Sequence, residues 1–257
     1  MTVTSPDGIS IAYETRGTGS PALVFVHGWS CDRSYWAAQL EAFSRDFQVV
    51  ALDLAGHGES GFGREAWTMA AFGGDVAAVV EALALDRVIL VGHSMGGDAI
   101  VEAARRLPDR VAGLVWVDTY RRLGTPRTQE QLDALLAPIR ADFVDATRAF
   151  VSGMFLPSAD PKLVERVASD MSSAPPEVAL EALAFALSFD REMPRLVMEL
   201  GLPIVAINPE QPASDIASLD RHGVEVILMP GVGHFLMLED PEEFEALLRT
   251  AIDRIGP

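Results

Sequence analysis

One serine and a set of histidines have the types and spacing for nucleophilic catalysis. Ser94 stands in Gly92-His-Ser-Met-Gly-Gly97, directly after the apolar run Arg87–Val91 and directly before the helical pattern Asp98–Leu107. In that strand–turn–helix setting a G-x-S-x-G pentapeptide reads as a nucleophile elbow, whereas the bare pentapeptide would be only a glycine-rich turn. The chemistry needs the geometry. The serine sits on a strained turn with its hydroxyl exposed, flanking glycines without Cβ let other backbone pass close by, and the following helix points free N–H groups at the site. A serine hydroxyl is a weak nucleophile at neutral pH, so it requires a base, and the base requires an orienting acid.

The chain holds five histidines. His27 closes an apolar run in Val26-His-Gly-Trp29, and His57 lies in the loop Asp53-Leu-Ala-Gly-His-Gly-Glu-Ser60. His93 adjoins Ser94 and is expected to point away from it, and His222 lies near a helix end, where a solvated or capping role is the plain reading. His234, in Met229-Pro-Gly-Val-Gly-His-Phe-Leu236, is the favoured base. It lies late in the chain, in the order serine, acid, histidine that accompanies this elbow. Cys31, the single cysteine, excludes an internal disulfide. It sits in a loop without an elbow and reads as a bystander thiol.

Composition bounds the setting. With 257 residues, 49% of them hydrophobic, the chain can bury a large core as one α/β domain with an insertion. The net charge of −17 disfavours nucleic acid and anionic lipid as partners. No apolar run approaches the roughly 20 residues needed to span a bilayer, so no membrane insertion is expected. The start, Met-Thr-Val-Thr-Ser-Pro-Asp-Gly, lacks a basic region and an apolar signal core, which makes a cytoplasmic location the expectation. Nothing in the sequence specifies an oligomeric state.

The elements that must position these residues follow from hydrophobic patterning. Ile9–Tyr13 alternates after the turn signal Pro6-Asp-Gly8 and reads as part of an opening hairpin. Continuous apolar runs at 21–26, 47–52, 87–91, 111–117, 203–207 and 224–229 suit strands buried on both faces of a parallel sheet. Helical patterns at 66–85, 98–107, 214–222 and 241–255 lie between them, and the alternation predicts a doubly wound α/β fold. From Tyr120 to Met198 the alternation stops. Apolar residues there recur at helical spacing and prolines divide the stretch into short helices. It reads as a helical cap after the sixth strand, giving core segments 1–119 and 199–257 around a cap at 120–198.

Taken together, His27-Gly-Trp29, Asp53-Leu-Ala-Gly-His-Gly-Glu-Ser60, Gly92-His-Ser-Met-Gly-Gly97 and Gly231-Val-Gly-His-Phe235 resemble the α/β-hydrolase family over nearly the whole chain. The likeness is strongest to its small capped serine esterases and cofactor-free haloperoxidase-like members. The resemblance implies a mostly parallel sheet of about eight strands with a cap inserted after the sixth. It also implies an oxyanion hole from the residue after His-Gly and the residue after the nucleophile, here the backbone N–H groups of Trp29 and Met95. Two fixed donors at a developing oxyanion in a dry pocket are what acyl transfer requires.

The acid departs from the common family pattern. Many members carry it in a turn after the seventh strand, but here that turn reads Asn208-Pro-Glu-Gln-Pro-Ala-Ser-Asp215, and the aligned position holds Pro212. Three candidates remain. Glu210 lies in that loop, two residues early. Asp215 opens a helical pattern and is better explained as a cap. Asp118 ends the sixth strand in Val115-Trp-Val-Asp-Thr119 and is preferred, because a stiff element at the catalytic end of the sheet suits an orienting group. Its competing role is to cap the first helix of the insertion.

The expected activity is hydrolysis of small to medium carboxylic esters through an acyl-enzyme. Ser94 is the nucleophile, His234 the base and Asp118 the acid, with a small ester-like molecule as the partner and no metal or organic cofactor. Met154, Phe155, Leu156, Phe185, Leu187 and Phe189 are candidates for an apolar pocket, and Arg121 or Arg122 for holding a substrate carboxylate. Lactone, thioester and C–C bond hydrolysis share such a triad, and a ligand receptor that keeps the hydrolase shape is the alternative of a different class.

Overall fold

The continuous apolar runs become the strands of one eight-stranded sheet in the computed structural model, which describes residues 1–256. In chain order they are β1 (Thr2–Thr4), β2 (Ser10–Arg16), β3 (Ala22–Val26), β4 (Val49–Leu52), β5 (Val88–His93), β6 (Val111–Val117), β7 (Ile204–Pro209) and β8 (Val224–Met229). The spatial order is β1-β2-β4-β3-β5-β6-β7-β8. β2 pairs antiparallel with β1 and β4, and every pair from β4 to β8 is parallel. Strands β3, β4 and β5 are buried at every position, as expected where helices cover both faces. β8 differs. As the edge strand it exposes Glu225 and Leu228 and buries Val224, Ile227 and Met229.

The core helices are α1 (Ala37–Phe43), α2 (Met69–Ala82), α3 (Met95–Arg106), α9 (Ile216–Asp220), α10 (Leu236–Glu239) and α11 (Pro241–Ile255). Residues 33–43 carry no element in the sequence reading. They form a 3₁₀ turn, Arg33–Trp36, that runs into α1. Trp36, Leu40 and Phe43 lie at helical spacing and are fully buried, with the Trp36 ring 5.2 Å from Phe25 and 6.2 Å from Phe244. The apolar signal here is short and follows a cap, Asp32, whose carboxylate accepts the Ser34 N–H at 2.7 Å.

Between β6 and β7 lie five helices and no strand: α4 (Gln129–Ala141), α5 (Phe143–Ser152), α6 (Pro161–Met171), α7 (Pro176–Phe189) and α8 (Met193–Leu200). Proline occupies the first turn of α6, α7 and α8, where its missing N–H costs nothing. Thr128 closes a capping box with Gln131 at the start of α4. Among the described residues, no helix is long and apolar enough to cross a membrane.

Candidate functional site

Two of the candidate residues are delivered by the same device, a strand that ends one residue before the side chain. β5 ends at His93 and releases Ser94, while β6 ends at Val117 and releases Asp118. Both continue the hydrogen-bonding of the sheet by one step, since Ser94 N–H donates to Val117 O and Asp118 N–H to Ile207 O, each at 3.0 Å. Both also have positive φ, 52° for Ser94 and 44° for Asp118, a conformation that non-glycine residues rarely adopt. Such strain persists only where surrounding structure fixes it, and it concentrates at functional sites. His234 arrives on the loop after β8, on the same end of the sheet. This end, beyond the carboxyl ends of the strands, is where open α/β sheets place ligands.

The elbow packs as the glycines require. A Cβ on Gly96 would sit 2.5 Å from the carbonyl oxygens of Val26 and His27, and one on Gly28 would sit 2.8 Å from His93 Nδ1. Backbone therefore meets backbone at the root of the turn. Gly96→Ala is expected to destabilise the fold by about 2 kcal/mol, read as a fall in Tm of roughly 4–8 °C, since rigid strand carbonyls must move.

Ser94, Met95, Asp118, His234 and Trp29 all line one cavity of about 620 Å³. His234 Nδ1 lies 2.6 Å from Asp118 Oδ2. The carboxylate is dry, with a side chain 2% exposed, whereas the ring is 15% exposed and open to the cavity. Arg121 holds Asp118 from the other side through a two-pronged contact, Nε to Oδ1 at 2.9 Å and a terminal nitrogen to Oδ2 at 2.8 Å. Burial by itself would raise the Asp118 carboxyl, but the hydrogen bonds and charges of His234 and Arg121 outweigh it and hold the group well below the usual carboxylate range. Ser94 and His234 share the cavity without a hydrogen bond between them, and catalytic pairs are commonly loose until a substrate is bound. Neither the Trp29 nor the Met95 backbone N–H donates to any acceptor among the described residues. The Trp29 side chain is committed elsewhere: its indole N–H donates to Ala179 O of α7 at 2.7 Å, and its ring meets Phe150 edge-on.

Neither of the other acid candidates bonds to His234. Glu210 is exposed and outside the cavity wall. Asp215 caps α9, its Oδ1 accepting the Ser218 N–H at 2.9 Å. Asp118 caps no helix, and the first inserted helix is capped by Thr128. Of the other histidines, His27 uses both ring nitrogens: Nε2 accepts the Leu54 N–H and Nδ1 donates to Gly28 O. Burial lowers His27 to about 4 and His57 to about 3, so both stay neutral. His222 bonds back to Ser218 O at 2.8 Å near the end of α9. Cys31 reaches the cavity wall, but burial pushes its thiol well up and disfavours the reactive thiolate.

Three residues support the site in roles that sequence reasoning did not assign. His93 lies against the base: its Nε2 is 2.9 Å from His234 O, and the two rings are 4.6 Å apart. Glu239, half-buried at the end of α10, accepts the N–H groups of Gly233 and Phe235 at 2.9 and 3.1 Å, clamping the chain on both sides of His234. Arg121, a candidate for a substrate carboxylate, is instead occupied by Asp118. The apolar candidates divide. Met154 and Leu187 face the cavity, Phe155 stacks on Phe235 at 5.0 Å, and Phe185 is exposed beside a smaller, separate hollow. No sequence signal separates these cases, because helical spacing gives the face of a helix and not what that face meets.

No group of three His, Cys, Asp or Glu side chains is placed to hold a metal ion among the described residues. Comparison with known proteins agrees with the fold. The model of the alpha/beta hydrolase family matches residues 23–247, and the chain belongs to that family. It is 31% identical over 240 residues to the dihydrolipoyllysine-residue acetyltransferase component of the acetoin cleaving system of Pseudomonas putida, covering 90% of this chain and 63% of that protein. It is 39% identical over 136 residues to a bifunctional esterase/perhydrolase of Acinetobacter calcoaceticus, covering 52% and 49%. The chain thus spans 30% and 63% of the length of two of the curated relatives it matches. Among solved structures it superposes on a thermophilic esterase from Thermogutta terrifontis with a TM-score of 0.85 at 27% identity, over 100% of this chain and 99% of that one.

Proposed function

We propose that this chain is a serine-dependent carboxylic ester hydrolase acting on small to medium esters. The observation that carries the reading is the His234–Asp118 contact at 2.6 Å in the cavity that Ser94 also lines. With Nδ1–H donated to Asp118, the His234 Nε2 lone pair is left as the base. It takes the Ser94 proton as the hydroxyl oxygen attacks the ester carbonyl. The free N–H groups of Trp29 and Met95 receive the oxyanion. The protonated ring then delivers its proton to the departing alcohol, and a water deprotonated by the same nitrogen hydrolyses the acyl-enzyme.

The cavity's size suits a ligand of that class, and its walls combine apolar side chains with polar and charged ones. We take α4–α8 as a cap over the site, dividing the chain into core segments 1–119 and 199–257 around a cap at 120–198. Trp29 supports this, because it joins the loop after β3 to α7. The esterase and perhydrolase names among the relatives point the same way. A fluorophosphonate probe tests the reading. Wild-type protein is expected to be labelled at Ser94 and Ser94→Ala not at all. Folded wild-type protein that resists labelling would favour the receptor alternative.

A further inference from the structure

One wall of the cavity carries polar groups that the hydrolytic steps leave unused. Asp98 lies on α3 one helical turn after Ser94, about 6 Å along the axis. It is 4% exposed and belongs to the cavity wall. Its Oδ1 accepts the Tyr120 hydroxyl at 2.7 Å, while its Oδ2 has no partner among the described residues. Beside it on the same wall is Asp190, from the end of α7. Asp190 Oδ2 accepts both the backbone N–H of Arg127, at 3.0 Å, and its guanidinium, at 3.2 Å. Asp190 Oδ1 is buried and has no partner among the described residues. Two acceptor oxygens on neighbouring carboxyls are thus left without a donor among the described residues, and a buried acceptor without a donor is costly.

We propose that Asp98, backed by Tyr120 and Asp190, forms a polar subsite that takes a hydroxyl group of the substrate, so that hydroxylated esters are preferred over their unsubstituted counterparts. The proposal rests on the hydrolase reading and adds the substrate class. A hydroxyl is the group that fits, because it both donates and accepts. Burial pushes the Asp98 carboxyl up to about 8, with the Asp190 charge adding to the rise, and the Tyr120 hydrogen bond and Arg127 opposing it. Near neutral pH the carboxyl therefore exists in both forms. The ionised form accepts the hydroxyl proton and the neutral form can donate to the hydroxyl oxygen. An amide N–H or an alkyl group would satisfy only one form or neither. Arg127 already neutralises one of the two carboxyls, so a substrate ammonium would meet a single uncompensated charge, and only while Asp98 is ionised.

The test compares kcat/KM for p-nitrophenyl butanoate and hexanoate with p-nitrophenyl 3-hydroxybutanoate and 6-hydroxyhexanoate, two hydroxyl reaches. Wild-type protein is expected to favour at least one hydroxy ester over its parent by about tenfold or more, the scale of a hydrogen bond to a buried carboxyl. In Asp98→Ala that ratio is expected to fall to within about twofold of unity, and Asp98→Asn, which keeps an acceptor, to lie between. Wild-type ratios near unity overturn the subsite without touching the hydrolase reading, and they do so even where a variant fails to fold. An unchanged ratio in folded Asp98→Ala overturns it equally. Wild-type protein that cleaves none of the four esters overturns the hydrolase reading and the subsite together.

Discussion

Asp118→Asn is expected to lower kcat on an activated ester by about 10⁴-fold, while Glu210→Gln stays near wild type. The size follows from what the carboxylate does in the proposed mechanism. It accepts the Nδ1 proton of His234, so the ring keeps the tautomer with a basic Nε2, and its charge balances the imidazolium that forms as Ser94 attacks. An asparagine can present its NH₂ to the ring and hold the other tautomer, with the proton on the nitrogen that should act as base. The loss should fall in kcat more than in KM, since the interaction strengthens as charge develops on the ring. Arg121 sharpens the expectation. It is about a quarter exposed and can rehydrate when its partner is neutralised, so the variant should fold and the rate can be read. Glu210 is exposed and its side chain holds no part of the site, which gives its variant no route to the chemistry. The reverse outcome, loss in Glu210→Gln and retention in Asp118→Asn, would move the acid to the loop after β7.

Ser94→Ala is expected to lower kcat further, by about 10⁵–10⁶-fold, and adding Asp118→Asn to it should change little. Without the hydroxyl there is no acyl-enzyme, and His234 has no proton to take from a nucleophile. The acid's contribution is realised only through the ring and the ring's only through the serine, so the three effects do not sum. The rate that survives in Ser94→Ala measures binding and the Trp29 and Met95 N–H groups alone, roughly 10³–10⁴ above water in a serine protease. Single-turnover measurement with p-nitrophenyl acetate on both variants checks this. Independent, additive losses would mean that Asp118 acts on something other than the serine–histidine pair.

Much of the site was legible along the chain because it hangs on strand ends. An apolar run that stops marks the edge of the sheet, so Ser94 after 87–91 and Asp118 after 111–117 could be placed on one side of the fold before any contact was known. The glycines flanking Ser94 marked close backbone approach, and a Cβ on Gly92 or Gly96 would meet backbone oxygens at 2.4 or 2.5 Å. The 33–43 segment was not legible, because a short helix buried by two aromatic residues carries too few turns to display a period. Glu239 was not legible either. It is one acid among 37 Asp and Glu residues, and its importance comes from a turn that brings it back to the chain on both sides of His234.

The sequence by itself determined the order of the strands and of the longer core helices, the elbow, and which histidine arrives last at that end of the sheet. These depend on local periodicity and on glycine sterics, both written in neighbouring residues. Only the tertiary structure decided that His234 meets Asp118, that Arg121 is spent on that acid, and that Asp98 opens into the cavity while Phe185 faces outward. All but the Arg121–Asp118 pair, which spans three residues after β6, join separate elements or depend on what a helix face meets. Hydrogen bonds and burial between them are set by how the sheet twists and the inserted helices settle, which no window of sequence contains.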